Sequence, residues 1–175
     1  MKIVVANCRG ISNVRARHHF FGKLQELQAD IYMLTETKLL SEDITSIRMA
    51  WGKYQDQINT FIDCDDEAIG RSGGVAVLFE LGLDFKVNQV KKLEVGTHLI
   101  LDITVQANRY KLITFYGDPS ASDEASKRRL LKMHTEMKNM TIDSEHATIM
   151  GGDFNFVANI KDSTRSLFKT QTPFL

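Results

Sequence analysis

Four polar residues stand where short apolar runs end. Asn7 closes Ile3-Val4-Val5-Ala6, Glu36 follows Ile31-Tyr32-Met33-Leu34-Thr35, Tyr116 follows Ile113-Thr114-Phe115, and Asp153 follows Ile149-Met150-Gly151-Gly152. In open sheets the ligand crevice lies outside the strand ends, so polar side chains from several strands can converge there. Each residue alone also has an ordinary role. Asn7 and Asp153 suit turns, Glu36 suits a solvated position before a helix, and Tyr116 suits a core with its hydroxyl in water. The run Gly151-Gly152-Asp153-Phe154-Asn155 is more specific. Its glycines let the backbone turn sharply and approach a neighbour closely. Asp153 can then orient or deprotonate a water, and Asn155 can hydrogen-bond a phosphate oxygen from the same turn.

The elements that must position these residues can be read from hydrophobic period. Ile3 to Ala6 and Ile31 to Leu34 are continuous apolar runs, predicting buried strands. Between them, Phe20, Phe21, Leu24 and Leu27 recur at three- and four-residue steps from Val14 to Ala29, predicting an amphipathic helix and a β-α-β unit. Ser41-Glu42-Asp43 carries N-cap and first-turn chemistry for a short helix reaching about Trp51. Strands are then predicted over Gln55 to Phe61, Val75 to Phe79, Phe85 to Val95, His98 to Val105 and Tyr110 to Phe115, the last two forming a hairpin around Ala107-Asn108. A helix over Ser122 to Asn139 and a strand over Ala147 to Met150 complete the pattern. With no repeat or linker, one domain of α/β or α+β class is expected, with sheets covered by helices.

Composition narrows the class. The 175 residues hold 22 Lys+Arg and 22 Asp+Glu, 43% hydrophobic residues, 11 Gly and 2 Pro. That is a globular balance, which excludes disordered, collagenous and coiled-coil chains. Zero net charge supplies no global field, so a nucleic-acid partner would meet a local basic face. Cys8 and Cys64 form neither a disulfide framework nor a zinc-type cluster, pointing to a reducing compartment. The polar turn at Asn7 comes too early for a signal peptide, and no long apolar run occurs. A nuclear or cytoplasmic location away from membranes is the expectation.

Asn7 in Val4-Val5-Ala6-Asn7-Cys8-Arg9-Gly10, Glu36 in Leu34-Thr35-Glu36-Thr37-Lys38-Leu39, the block Gly70-Arg71-Ser72-Gly73-Gly74-Val75-Ala76-Val77-Leu78-Phe79, Tyr116 in Thr114-Phe115-Tyr116-Gly117-Asp118-Pro119 and Gly151-Gly152-Asp153-Phe154-Asn155 taken together resemble the endonuclease/exonuclease/phosphatase superfamily. Within it, the likeness is greatest to the endonuclease domain of LINE-type (non-LTR) retrotransposons. The resemblance implies a four-layer α/β/β/α sandwich with its site where the sheets open. It implies Glu36 as the main Mg²⁺ ligand, with Mn²⁺ as a substitute, and Asn7 helping to hold metal and phosphate. Asp153 would activate or orient water, Asn155 would bind the scissile phosphate, and Tyr116 would stabilise its developing charge. The activity implied is hydrolysis of DNA phosphodiesters, as in apurinic-site endonucleases and exonuclease III enzymes, with no obligate protein partner. A hard carboxylate oxygen independently suits Mg²⁺, which keeps several waters and takes substrate phosphate as a further ligand.

Two departures from the family pattern stand out. The usual Tyr-Ala-Pro is Tyr116-Gly117-Asp118-Pro119, and the C-terminal strands with their Ser-Asp-His do not follow Asn155 within the 175 residues. The expectations are therefore an incomplete second sheet, one domain over residues 1–175, and weak or lost activity. Alternatives are a retrotransposon-derived remnant that only binds nucleic acid, or a hydrolase of small phosphoesters such as inositol phosphates. Ser144-Glu145-His146 precedes the Gly-Gly-Asp strand and is read as surface loop. Asp162 and Arg165 resemble a pair often found after Asp-Phe-Asn and equally suit a solvated loop. His18-His19 lack the one-face spacing of paired ligands. Lys127-Arg128-Arg129 with Lys132 reads as a solvated helix face, Gly70 to Gly74 lacks the Lys-Ser/Thr of a P-loop, and Cys8 has no evident base.

Overall fold

A computed structural model describes residues 1–52, 60–64, 73–93, 96–117, 131, 135, 138 and 146–155. The chain divides into two compact units, Met1–Tyr116 with Asp143–Asp153, and Gly117–Ile142 with Phe154–Leu175. The first unit holds two four-stranded sheets, and the fold is the α+β sandwich expected.

The first sheet has the order β1 (Ile3–Asn7), β2 (Ile31–Thr35), β4 (Val75–Phe79), β3 (Thr60–Asp63). β1 and β2 run parallel because α1 (Val14–Glu26) crosses between them, and β4 is antiparallel to both β2 and β3. Asn13 caps α1 by accepting from the Ala16 amide at 3.1 Å, satisfying an otherwise orphaned donor. Phe21 and Leu24 then turn inward with Arg17, while the other charged residues stay in water. A single 3-10 turn at Ser41–Asp43 leads into α2 (Ile44–Gly52), and the Asp43 carboxylate accepts from the Leu40 amide at 3.0 Å.

Alternation along the strands sorts the side chains onto two faces. Tyr32, Leu34, Ala76 and Leu78 pack outward against Phe21, Leu24, Ile47 and Trp51 of the helices. Trp51 meets Phe21 and Tyr32 edge to face, with ring centroids 5.1 and 5.2 Å away, and its indole N–H donates to the Phe79 carbonyl at 2.8 Å. Ile31, Met33, Val75, Val77 and Phe79 face the other way, against Leu99, Leu101, Ile103, Val105 and Leu112 of the second sheet. Strands buried on both faces read as continuous apolar runs, which explains why β2 and β4 show no alternation in sequence.

The second sheet has the order β5 (Phe85–Lys92), β6 (His98–Val105), β7 (Asn108–Tyr116), β8 (Ala147–Asp153). β5, β6 and β7 are an antiparallel meander, and β8 adds parallel to β7. The hairpin turns through Gln106 and Ala107, both at positive φ. Ile100 and Ile113 are buried as expected. Ile149 is only half-buried, because β8 ends the sheet and pairs on its far side with no described strand. Among the described residues the second sheet ends at β8 and is thus incomplete, as expected. Of the predicted strand Gln55 to Phe61, only Thr60 and Phe61 lie among the described residues, and the strand there continues to Asp63. Of the predicted helix Ser122 to Asn139, Leu131, Thr135 and Lys138 are described and are helical. Asp162, Arg165 and the Lys127-Arg128-Arg129 run lie outside the described residues.

Candidate active site

Asn7 lies on the inner face of the first sheet, in one transverse row with its register partners Thr35, Val75 and Asp63. On the second sheet Tyr116 and Asp153 are register partners and share a face, Tyr116 joining the core between the sheets. The parallel pairs β1/β2 and β7/β8 therefore deliver Asn7, Glu36, Tyr116 and Asp153 at their C-terminal ends. Asn7 and Asp153 meet directly, the Asn7 amide donating to Asp153 Oδ2 at 2.7 Å across 146 residues of chain.

Glycine makes that approach possible. A Cβ on Gly151 would lie 2.5 Å from Val5 Cγ2, and one on Gly152 would collide with the Phe115 carbonyl. The two glycines before Asp153 thus let β8 close on β1 from one side and on β7 from the other. The glycine pair Gly73-Gly74 serves the opposite wall. Gly74 sits at φ +85 where a Cβ would strike the Thr37 hydroxyl, and its carbonyl accepts from the Thr37 amide at 3.1 Å. The Gly73 carbonyl accepts from Lys38 at 3.0 Å.

Glu36 is held by its backbone from both directions, its carbonyl accepting from Gly10 at 2.8 Å while the next two amides bond Gly74 and Gly73. Arg9, Glu36 and Lys38 all adopt φ +54. Such left-handed conformations cost about 1–3 kcal/mol each for residues with a Cβ, and they persist where surrounding bonds over-determine them. The Glu36 carboxylate is 22% exposed and pairs with the Lys38 ammonium at 3.1 Å. The oxygen of the Asn7 side chain accepts from the Arg9 amide at 2.9 Å, which fixes its rotamer as an Asx turn. Beneath this rim, Thr35 and Thr114 are buried with hydroxyls that find no partner among the described residues.

Cys8, beside this rim, is no nucleophile: burial first, and then the Glu36 carboxylate, push its thiol up to about 12 against the lowering effect of the backbone bond to Thr35. Asn155 belongs to the second unit, where it sits at φ +49 and donates to the Gly117 carbonyl at 2.6 Å. A Cβ on Gly117 would strike the Phe154 carbonyl, so an alanine at that position would not fit.

Asp63 was not anticipated. It is buried at the far end of the row that begins with Asn7, Oδ2 accepting from the Gly96 amide at 2.8 Å and Oδ1 pairing with Lys92 at 2.9 Å. Its signal in the sequence was the one that exposed Asn7, a polar residue closing an apolar strand. Assigning that strand to Gln55–Phe61 hid it.

As a cation site, the rim offers hard oxygen donors, the Glu36 carboxylate and the Asn7 amide oxygen. Among the described residues no three His, Cys, Asp or Glu side chains gather into a cage. One carboxylate with neutral oxygens is the donor set of Mg²⁺, which retains water, and is unlike that of zinc. The donor types suit such an ion, with the Glu36 carboxylate held by Lys38 at 3.1 Å.

Comparison with known proteins agrees with the fold. An AP endonuclease from Archaeoglobus fulgidus superposes with TM-score 0.63 at 17% identity, covering 93% of this chain and 60% of that one. The endonuclease domain of TRAS1, a telomere-specific non-LTR retrotransposon, gives TM-score 0.54 at 15% identity over 88% of this chain and 58% of its own. The Bacteroides thetaiotaomicron mannosyl-6-phosphatase Bt3783 gives TM-score 0.61 at 12% identity, with 89% and 65% covered. At such identities the likeness is one of fold, and the chain spans about 60% of the length of these structures. No curated protein matches the sequence. The model of the Endonuclease/Exonuclease/phosphatase family matches residues 4–170, nearly the whole length, and the chain belongs to that family.

Proposed function

We propose that this chain is a Mg²⁺-dependent phosphodiesterase domain acting on DNA, as an endonuclease. In this reading residues 1–175 belong to one domain of the family. The observation that supports it best is the bond between Asn7 and Asp153, which joins polar strand ends from opposite sheets beside the Glu36 loop. Glu36 and Asn7 would hold the ion, with Mn²⁺ able to replace it. The ion would supply Lewis-acid polarisation of a phosphate oxygen.

The remaining chemistry falls to the chain. Asp153, its Oδ2 already bound by Asn7, presents its carboxylate to orient an attacking water and take its proton. Tyr116 would donate to the phosphoryl oxygens as charge builds, and Asn155 would hold the scissile phosphate. Phosphodiester hydrolysis depends mainly on such positioning and charge stabilisation. Among the described residues no helix is long and apolar enough to cross a membrane. The free cysteines Cys8 and Cys64 support action in a reducing compartment, the nucleus or cytoplasm.

The test is nicking of supercoiled plasmid by the purified chain with Mg²⁺ and with a chelator. Nicking is expected with the ion only, and to fall about 10²–10⁴-fold in Asp153→Asn. Nicking that survives chelation would remove Glu36 from its role. DNA binding without nicking would favour a remnant that binds nucleic acid, and phosphate release from inositol phosphates with no nicking would favour a small-phosphoester hydrolase.

A further inference from the structure

We propose that Asp63 is a positioning residue of this site, holding Gly96 and Thr97 ahead of β6 so that they fix both Tyr116 and the Glu36 loop. The proposal rests on the reading of the site given above. Its ground is a continuous set of bonds within the first unit. Asp63 Oδ2 accepts from Gly96 at 2.8 Å, the Gly96 carbonyl accepts from Gly74 at 2.8 Å, and the Gly74 and Gly73 carbonyls accept from Thr37 and Lys38, the two residues after Glu36, at 3.1 and 3.0 Å. The next residue, Thr97, accepts from the Tyr116 amide at 2.9 Å. One carboxylate thus lies upstream of two candidate site residues on different sheets.

The register gives the reason for its location. Asp63, Val75, Thr35 and Asn7 form one row across the first sheet, all facing the second. At one end of the row Asn7 crosses to Asp153, and at the other Asp63 crosses to Gly96 and Lys92. Two polar bridges therefore pin the open end of the sandwich at both flanks, where hydrophobic packing, which has no direction, cannot set a separation. Asp63 is 2% exposed. Replacing it leaves the Gly96 amide without its acceptor and Lys92 without its counter-ion.

Amide exchange and nicking kinetics on the full chain test this. In Asp63→Ala, the Gly74 and Tyr116 amides should exchange about tenfold faster, the scale of one lost hydrogen bond, while strand amides of β2 and β6 keep their protection. Asp63→Asn retains an oxygen for Gly96 and should rescue most of that protection. Nicking by Asp63→Ala should show kcat down about tenfold with KM little changed, because misplaced groups lose interactions made in the transition state. If Asp63→Ala does not fold, Lys92→Met carries the same comparison and should loosen the same two amides. Faster exchange spread evenly over all strands would make Asp63 merely stabilising and overturn the proposal, as would unchanged Gly74 and Tyr116 amides. The expected exchange pattern in a chain that never nicks would support the anchoring by Asp63 and defeat the nuclease reading alone.

Discussion

Asn7 uses both ends of its amide, the nitrogen on Asp153 across the sheets and the oxygen on Arg9 within its own loop. Asn7→Ala removes a charge-assisted bond to a carboxylate, and is expected to cost about 1.5–3 kcal/mol, read from urea unfolding. A loss near zero would mean that Gly151 and its contact with Val5 hold the seam unaided. Cys8 gives a chemical check on the same rim. With its thiol at about 12, its thiolate fraction at pH 8 should make alkylation by iodoacetamide about 10³-fold slower than for a free thiol. Rapid labelling of native Cys8 would show the rim to be more open and less negative than described. What the sequence reveals at this scale is residue type: Asn7, Glu36, Tyr116 and Asp153 were legible because each closes an apolar run. The Glu36–Lys38 ion pair was not, since it needs positive φ at both residues, which neither side chain prefers.

At the scale of elements, β4 and β6 fall on the expected residues, and β1 and β2 extend them by the one polar residue at the end. Continuous apolar runs and a turn between two alternating segments are local signals. The pairing of β8 with β7, and its closure on β1, are not local, and they rest on Gly151 and Gly152. Gly151→Ala should destabilise by about 1–3 kcal/mol through overpacking on Val5, and Val5→Ala in the same chain should restore most of the loss, as measured by urea unfolding. No rescue would place the strain elsewhere. On the outer face of the second sheet, Asn88 and Arg109 bind Asp102 at 3.0 and 2.9 Å. Burial alone would raise Asp102, but these hydrogen bonds and the Arg109 charge outweigh it and hold the carboxyl below its ordinary value. A group lowered in the folded state contributes stability above its unfolded value, about 3.9, and loses it as pH falls through the folded one. Asp102→Asn should therefore flatten the acid limb of the stability curve below about pH 4 and leave neutral slopes unchanged. An acid limb identical to that of the parent chain would show that Asp102 titrates alike in both states.

For the whole molecule, an α/β or α+β class with helices over sheets was legible because β-α-β followed by antiparallel strands admits few arrangements, whereas the four-layer sandwich was what the family resemblance implied. The anchoring by Asp63 was not legible, because only its place at the end of an apolar strand is local, while its partners Gly96 and Lys92 lie about thirty residues away. The most direct measurement is titration of the purified chain with Mn²⁺, followed by calorimetry or electron paramagnetic resonance, beside Glu36→Gln and the distant Asp102→Asn. Since even outer partners of a metal ligand are worth about 10–100-fold in affinity, losing the ligand itself should cost about a hundredfold or more. One ion per chain, lost in Glu36→Gln and kept in Asp102→Asn, is the result expected of a cation site at the converging strand ends; equal Mn²⁺ affinity in the parent chain and Glu36→Gln would contradict it.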